Sequence, residues 1–117
     1  MGLFEQWGNK PVPFTRFENS GLGITGEYTA GKPLDTRSML PVFGASHIVI
    51  MVKYQLGMFL QKGDIIATGK SPEQIDRIHR ITDIRNGIVK TKGDNNLWAD
   101  RPSQLSDIQY VVVGIKY

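Results

Sequence analysis

The stretch IDRIHRITDIRNGIVKT, residues 75–91, decides how this 117-residue chain folds. Its isoleucines recur at every third position, a spacing that a helix permits: Ile75, Ile78, Ile81 and Ile84. Ser71-Pro72 just before them would also suit the start of a helix, with serine as the N-cap and proline in the first turn. A helix over residues 72–85 is therefore one interpretation.

A β-hairpin is the interpretation that we favour for the same stretch. It is dense in β-branched residues, and Asn86-Gly87 is the strongest short signal for a two-residue hairpin turn. We therefore predict paired strands near residues 77–85 and 88–93.

The hairpin places one of the two histidines of the chain beside a carboxylate. If Arg85 lies opposite Ile88, counting back along both strands brings His79 opposite Asp94. Directly opposed side chains have Cβ atoms about 4.5–5.5 Å apart. A bulge at Gly93 would shift this pairing by one residue.

Outside the hairpin, apolar β-branched runs predict three further strands: His47–Lys53, Ile65–Thr68 and Ile108–Lys116. Residues 1–35 are rich in glycine, proline and polar residues, and we interpret them as an arm of short strands and turns packed on the core. Residues 36–117 form the core itself. We predict a mainly β protein with little helix, organised as a single domain.

The composition excludes several kinds of chemistry. The chain has no cysteine, which rules out a disulfide scaffold, a thiol nucleophile and a cysteine-ligated metal. With only two histidines, a multi-histidine metal site is not expected either, and we expect no cofactor. We assign no role to His47. The net charge of +3 permits binding to nucleic acid without favouring it.

Four short motifs occur in a fixed order and carry a resemblance. They are Ser38-Met39-Leu40-Pro41, Gly63-Asp64-Ile65-Ile66, His79-Arg80-Ile81, and TKGDNN at residues 91–96 with Asp100 soon after. This order resembles the type I signal peptidase family, in its serine–histidine branch from archaea and the endoplasmic reticulum. The resemblance covers roughly residues 36–117. It implies an antiparallel coiled β-sheet, or pseudo-barrel, of the signal peptidase type.

The resemblance also implies a serine endopeptidase. Ser38 would be the nucleophile and His79 the general base, because a serine hydroxyl reacts only when a base takes its proton. Asp100, or alternatively Asp94, would orient the imidazole of His79 and stabilise its charged form. Backbone N–H groups, including that of Ser38, would bind the oxyanion. The expected substrate is a protein or peptide with small residues at the cleavage site.

The sequence also departs from the family pattern near the nucleophile. Arg37 replaces the usual small residue before it, and Ala45-Ser46 stands where the family has Gly-Asp. Met39 and Leu40 would line the substrate groove. A transmembrane helix needs about 18 apolar residues, and the longest apolar run of this chain is far shorter. We therefore expect a soluble protein, cytoplasmic or virion-associated. A soluble relative of this family could act on a different substrate, such as a protein of a phage or mobile element, or could have lost activity.

Other functions remain open at this stage. A serine–lysine mechanism would use Lys53, Lys62 or Lys70 as the base. A catalytically inactive β-domain could bind nucleic acid through basic residues in or near the hairpin: Arg77, Arg80, Arg85, Lys90 and Lys92. Aromatic residues from elsewhere in the chain, Tyr54, Phe59 or Trp98, could stack on the bases. A viral structural or assembly protein could pair its N-terminal arm with a neighbouring subunit. The sequence does not fix an oligomeric state.

Overall fold

The computed structural model describes residues 15–16, 27–33 and 37–117, and in this part of the chain the strands form one antiparallel sheet. The strands are β1 (Thr15–Arg16), β2 (Glu27–Gly31), β3 (Ile48–Lys53), β4 (Ile65–Ser71), β5 (Gln74–Arg85), β6 (Ile88–Lys92), β7 (Ser103–Gln104) and β8 (Ile108–Lys116). They lie in the order β1-β2-β3-β8-β4-β5-β6-β7. The sheet is open, and the described residues contain one short 3₁₀ helix, Leu105–Asp107. The predicted mainly β fold with little helix is confirmed.

The predicted N-terminal arm falls only partly on the described residues. Strand β2 pairs with β3, and the two-residue β1 pairs with β2. The arm thus contributes strands to the sheet where it is described, and the rest of that prediction lies outside the described residues. No helix in the described part of the chain is long and apolar enough to cross a membrane.

The hairpin prediction is confirmed and the helix over residues 72–85 is wrong. Strands β5 and β6 pair around Asn86 and Gly87, whose φ angles of 51° and 78° are both in the left-handed region that this turn requires. Strand β5 also begins earlier than predicted, at Gln74. The reason is that Ser71 pairs with Gln74, so Pro72 lies in a tight turn between β4 and β5 instead of a first helical turn.

The register of this hairpin changes partway along it. The three pairs nearest the turn have the predicted partners: Arg85–Ile88, Ile84–Val89 and Asp83–Lys90. Beyond them Ile81 pairs with Thr91, so Thr82 is an extra residue on β5. Such a bulge moves every later pair by one position. The expectation that His79 lies opposite Asp94 is therefore wrong.

Two apolar clusters pack on the two faces of the sheet. Neighbouring residues of β4 divide between them, with Ile65 and Ala67 in one cluster and Ile66 in the other. This alternation is what a strand buried on both faces requires. His79 pairs directly with Ile66, which is fully buried, so the core fixes the backbone of the strand on which His79 lies.

Candidate active site

Ser38 lies at the start of a tight turn whose apolar side chains anchor it in the core. The backbone N–H groups of Val42 and Phe43 both donate to Met39 O, at 2.8 and 3.2 Å. Met39 and Phe43 are 2% and 3% exposed, whereas Ser38 is half-buried. Arg37, just before Ser38, has a φ of 60°. A non-glycine residue in this region is uncommon and strained, so the surrounding contacts must hold it there.

His79 joins Ser38 to Asp100. Its Nε2 lies 3.1 Å from Ser38 Oγ, and its Nδ1 lies 2.5 Å from Asp100 Oδ2. The side chain of His79 is 8% exposed and therefore shielded from water. The three side chains come from a turn, a strand and a loop that are far apart in sequence. They are in line, with one ring nitrogen toward the hydroxyl and the other toward the carboxylate.

The carboxylate of Asp100 is held by more than His79. Thr91 Oγ1 donates to the same oxygen, Oδ2, at 2.8 Å, and the Asp100 N–H donates to Thr91 O at 2.9 Å. Arg77 Nη1 lies 3.8 Å from the other oxygen, Oδ1, and Arg77 in turn donates to Ser103 Oγ at 3.3 Å. An acceptor fixed in this way favours the tautomer with its proton on Nδ1, which leaves Nε2 free to accept from Ser38.

Asp94 forms no hydrogen bond with His79. It accepts two hydrogen bonds from Arg80, 2.9 Å from Nε and 2.7 Å from Nη2, and Arg80 Nη1 donates to Gly63 O at 2.8 Å. The hydrogen bonds from Arg80 hold the pKa of the Asp94 carboxyl below its usual value, although partial burial acts in the opposite direction. The same bonds raise the pKa of the Arg80 guanidinium. The geometry therefore gives Asp94 a supporting position.

The supporting loop, residues 93–96, holds the backbone of the turn that carries Ser38. Asn95 donates from its backbone N–H to Ser38 O at 2.8 Å and from its side-chain amide to Arg37 O at 3.0 Å. Gly93 approaches so closely that a Cβ there would lie 2.8 Å from Ser38 O. Lys92 Nζ donates to Gly93 O at 2.8 Å. These contacts fix Ser38 relative to the strand that carries His79.

None of these neighbouring residues was predicted to support the candidate triad, and Arg77, Arg80 and Lys92 were considered only for binding nucleic acid. Thr91, Gly93 and Asn95 lie within the TKGDNN motif itself, and Arg80 directly follows His79. Their place in the motifs was a signal that could have drawn attention to them. Arg77 lies outside every motif, and its contact with Asp100 depends on the fold alone.

The two residues predicted to line a substrate groove have different environments. Met39 belongs to the core, and its sulfur accepts a hydrogen bond from the Asp94 N–H at 3.4 Å. A side chain that is 2% exposed cannot contact a substrate, so this prediction for Met39 is wrong. It is wrong because the turn directs the first side chain after Ser38 inward. Leu40 is half-buried, and its proposed role stays a prediction.

The structure also shows the environments of the residues considered for a serine–lysine mechanism and for nucleic-acid binding. The three lysines considered as bases are all exposed: Lys53, Lys62 and Lys70. General-base lysines are typically shielded from water. Most of the basic side chains considered for nucleic acid have local partners, since Arg77 contacts Asp100, Arg80 contacts Asp94, Arg85 contacts Asp83 and Lys92 caps carbonyl oxygens. Lys90 is exposed, as are Phe59 and Trp98, and Tyr54 packs partly against the core.

His47 has a structural environment. Its Nδ1 accepts a hydrogen bond from the Gly44 N–H at 2.9 Å, and its ring packs edge-on against Tyr117 with centroids 4.6 Å apart. Within the described residues, no group of three histidine or carboxylate side chains is arranged to hold a metal ion.

Comparisons of the chain with protein-family models, with curated proteins and with solved structures found no match.

Proposed function

We propose that this protein is a serine endopeptidase that uses a Ser38–His79–Asp100 triad and resembles the signal peptidases. The observation that carries the proposal is the continuous hydrogen-bonded line from Ser38 Oγ to His79, 3.1 Å, and from His79 to Asp100, 2.5 Å. The distance from Ser38 Oγ to His79 Nε2 lies within the range of about 2.6–3.2 Å that proton transfer needs, and the contact with Asp100 orients the imidazole. The four motifs in family order support the same activity independently of this geometry.

In the proposed mechanism, Ser38 Oγ attacks the carbonyl carbon of the scissile peptide bond while its proton passes to His79 Nε2. Asp100 stabilises the imidazolium that forms. Backbone N–H groups, including that of Ser38, bind the negatively charged oxygen of the tetrahedral intermediate. The C–N bond then breaks as His79 gives the proton to the leaving amine, and Ser38 is left as an acyl ester.

Deacylation repeats these steps with water. His79 takes a proton from a water molecule, whose oxygen attacks the ester carbonyl carbon. The bond between that carbon and Ser38 Oγ breaks, Ser38 recovers its proton from His79, and the acid product leaves. The cycle uses the three side chains, the backbone N–H groups that bind the oxyanion and a water molecule. The substrate class follows from the resemblance: a protein or peptide with small residues at the cleavage site.

The activity can be tested without knowing the natural substrate. The full chain is incubated with a diverse peptide library, and new termini are identified by mass spectrometry. We expect cleavage after small residues. We expect Ser38→Ala and His79→Ala each to lower the rate by about 10⁶-fold, the scale seen when a triad nucleophile or base is removed.

Matched controls separate loss of chemistry from loss of folding. Ser106→Ala removes an exposed hydroxyl and Asp76→Asn an exposed carboxylate, so both should keep full activity. Circular dichroism and thermal unfolding should show that the Ser38→Ala protein is folded. Cleavage that persists in folded Ser38→Ala, or a wild-type protein that cleaves no member of the library, would refute the proposal.

A further inference from the structure

Arg77, which contacts Asp100, also lines a separate cavity. This cavity has a volume of about 300 Å³ and lies where β4, β5 and the segment before β7 meet. Three basic side chains contribute to its wall: Lys70, Arg77 and Arg101. The volume is at the lower end of the range for small-ligand sites, about 300–1,000 Å³. It is large enough for a compact anion with a small organic substituent.

The basic side chains of this cavity have few acidic partners. Arg77 is held by Ser103 at 3.3 Å, and its nearest carboxylate is Asp100 at 3.8 Å. Lys70 and Arg101 are exposed and form no ion pair within the described part of the chain. The cavity wall therefore contains two basic side chains that form no ion pair with a described residue, Lys70 and Arg101. The third, Arg77, is held in position by Ser103 and Asp100.

Two carboxylates also line the cavity, and they differ in whether their oxygens already accept hydrogen bonds from the protein. Asp107 accepts the backbone N–H of Gln104 at 2.9 Å through Oδ2, so one of its oxygens is already engaged in the 3₁₀ turn. Asp76 is exposed and is the carboxylate that would oppose a bound anion most directly. Among the residues that line the cavity, three basic side chains face two carboxylates, and Asp100, which contacts Arg77 but does not line the cavity, offsets part of the charge of Arg77.

We propose that this cavity binds a tetrahedral oxyanion, either inorganic phosphate or the phosphoryl group of a small phosphomonoester. The planar guanidinium groups of Arg77 and Arg101 match the geometry of phosphate oxygens, and Lys70 adds a third positive charge. The Ser103 hydroxyl, already oriented by Arg77, lies in the same wall. The proposal does not depend on protease activity, although the site adjoins Asp100 through Arg77.

The test is a ¹H–¹⁵N NMR titration of the full chain with inorganic phosphate, at constant pH and ionic strength, with chloride as the reference salt. We expect saturable shifts of the Gly69 and Ser103 amides. Arg101→Gln should weaken binding about tenfold, the effect of losing one charge-assisted hydrogen bond. Asp76→Asn should tighten binding severalfold, because it removes the opposing charge. Lys90→Gln, an exposed change outside the cavity wall, should leave it unchanged.

Glycerol phosphate distinguishes the two sources of the oxyanion. Tighter binding of glycerol phosphate than of inorganic phosphate identifies the ligand as a phosphomonoester, and the reverse order identifies free phosphate. Shifts that do not saturate overturn the proposal. So does equal weakening by Arg101→Gln and Lys90→Gln, since it would mean diffuse attraction to a basic protein, and so does weaker binding by the Asp76→Asn variant.

Discussion

Replacing each of the two candidate carboxylates by an isosteric amide should affect different properties of the protein. In Asp100→Asn the amide oxygen can take the place of Oδ2, because that position accepts from both Thr91 and His79. The tautomer of His79 is then kept, and what is lost is the negative charge beside the imidazolium. At an effective dielectric constant of about 20, two charges about 4 Å apart interact by about 4 kcal/mol. The expected loss in kcat/KM is therefore about 10³-fold.

Asp94→Asn should act mainly on stability. It removes the charge from a two-bond contact with Arg80, whose side chain is 34% exposed, so water screens part of the loss. We expect the free energy of unfolding to fall by about 1–2 kcal/mol at neutral pH, below the value for a fully buried charged pair. Because Asn95 would still hold Ser38, kcat/KM per folded molecule should fall by less than about tenfold.

The two variants are compared by urea denaturation and by kcat/KM on a peptide identified from the library. Arg80→Gln serves as the partner control, since it removes the same ion pair from the other side and should lower stability by a similar amount. The double variant should lose less than the sum of the two single losses. The assignment of the acid fails if folded Asp94→Asn loses as much kcat/KM as Asp100→Asn, or if Asp100→Asn retains full activity.

Three further changes test other parts of the structure. Gly93→Ala should lower kcat at least about tenfold and destabilise the fold by about 1–3 kcal/mol, because the new Cβ would press on Ser38 O; kinetics and urea denaturation measure both, and full activity would contradict the close approach. The pKa of Asp94 is lower in the folded protein than its ordinary value of 3.8, so the ion pair with Arg80 contributes fully to stability above that value and less as the pH falls below it. The difference in unfolding free energy between wild type and Asp94→Asn should therefore shrink below about pH 4. A difference that stays constant with pH would refute this. Thr29→Val should raise stability by about 1 kcal/mol, because the buried Thr29 hydroxyl has no hydrogen-bond partner in the described part of the chain; a lower midpoint of thermal unfolding would contradict it.

Local chemistry made the elements of the sheet predictable. The two-residue hairpin turn requires two positive φ angles, which Asn86-Gly87 adopts and few other dipeptides tolerate. This turn signal was therefore a better guide than the helical spacing of the isoleucines. The last strand was predicted with the bounds Ile108–Lys116 that the structure has. The turn at Ser71-Pro72 was less predictable, because serine followed by proline suits both a helix start and a tight turn. The choice there depends on pairing between β4 and β5, which is a tertiary property.

The carboxylate that contacts His79 could not be predicted from the geometry of the hairpin turn alone. The extra residue at Thr82 is a bulge that neither composition nor alternation reveals, and it removes Asp94 from the position opposite His79. Asp100 reaches His79 from a loop, where no strand register applies, and is fixed there by its N–H bond to Thr91 O. The resemblance ranked Asp100 first and the predicted register favoured Asp94; the structure has Asp100 against His79 Nδ1 and Asp94 against Arg80, while the role of Asp100 as the acid stays a prediction.

The run Lys92-Gly93-Asp94-Asn95-Asn96 has a physical explanation that does not depend on any resemblance. Glycine is needed because a Cβ would press on Ser38 O, and asparagine at 95 serves two successive carbonyl groups, through its backbone N–H and its side-chain amide. Aspartate connects the loop to Arg80, next to His79, and Lys92 Nζ donates to the carbonyl oxygens of Gly93 and Asn96. Each residue type thus serves the same end, which is to hold the turn of Ser38 at a fixed distance from β5. A triad formed from separate segments needs such a support, because an error of about 1 Å in the position of a nucleophile can cost about 10²-fold in rate.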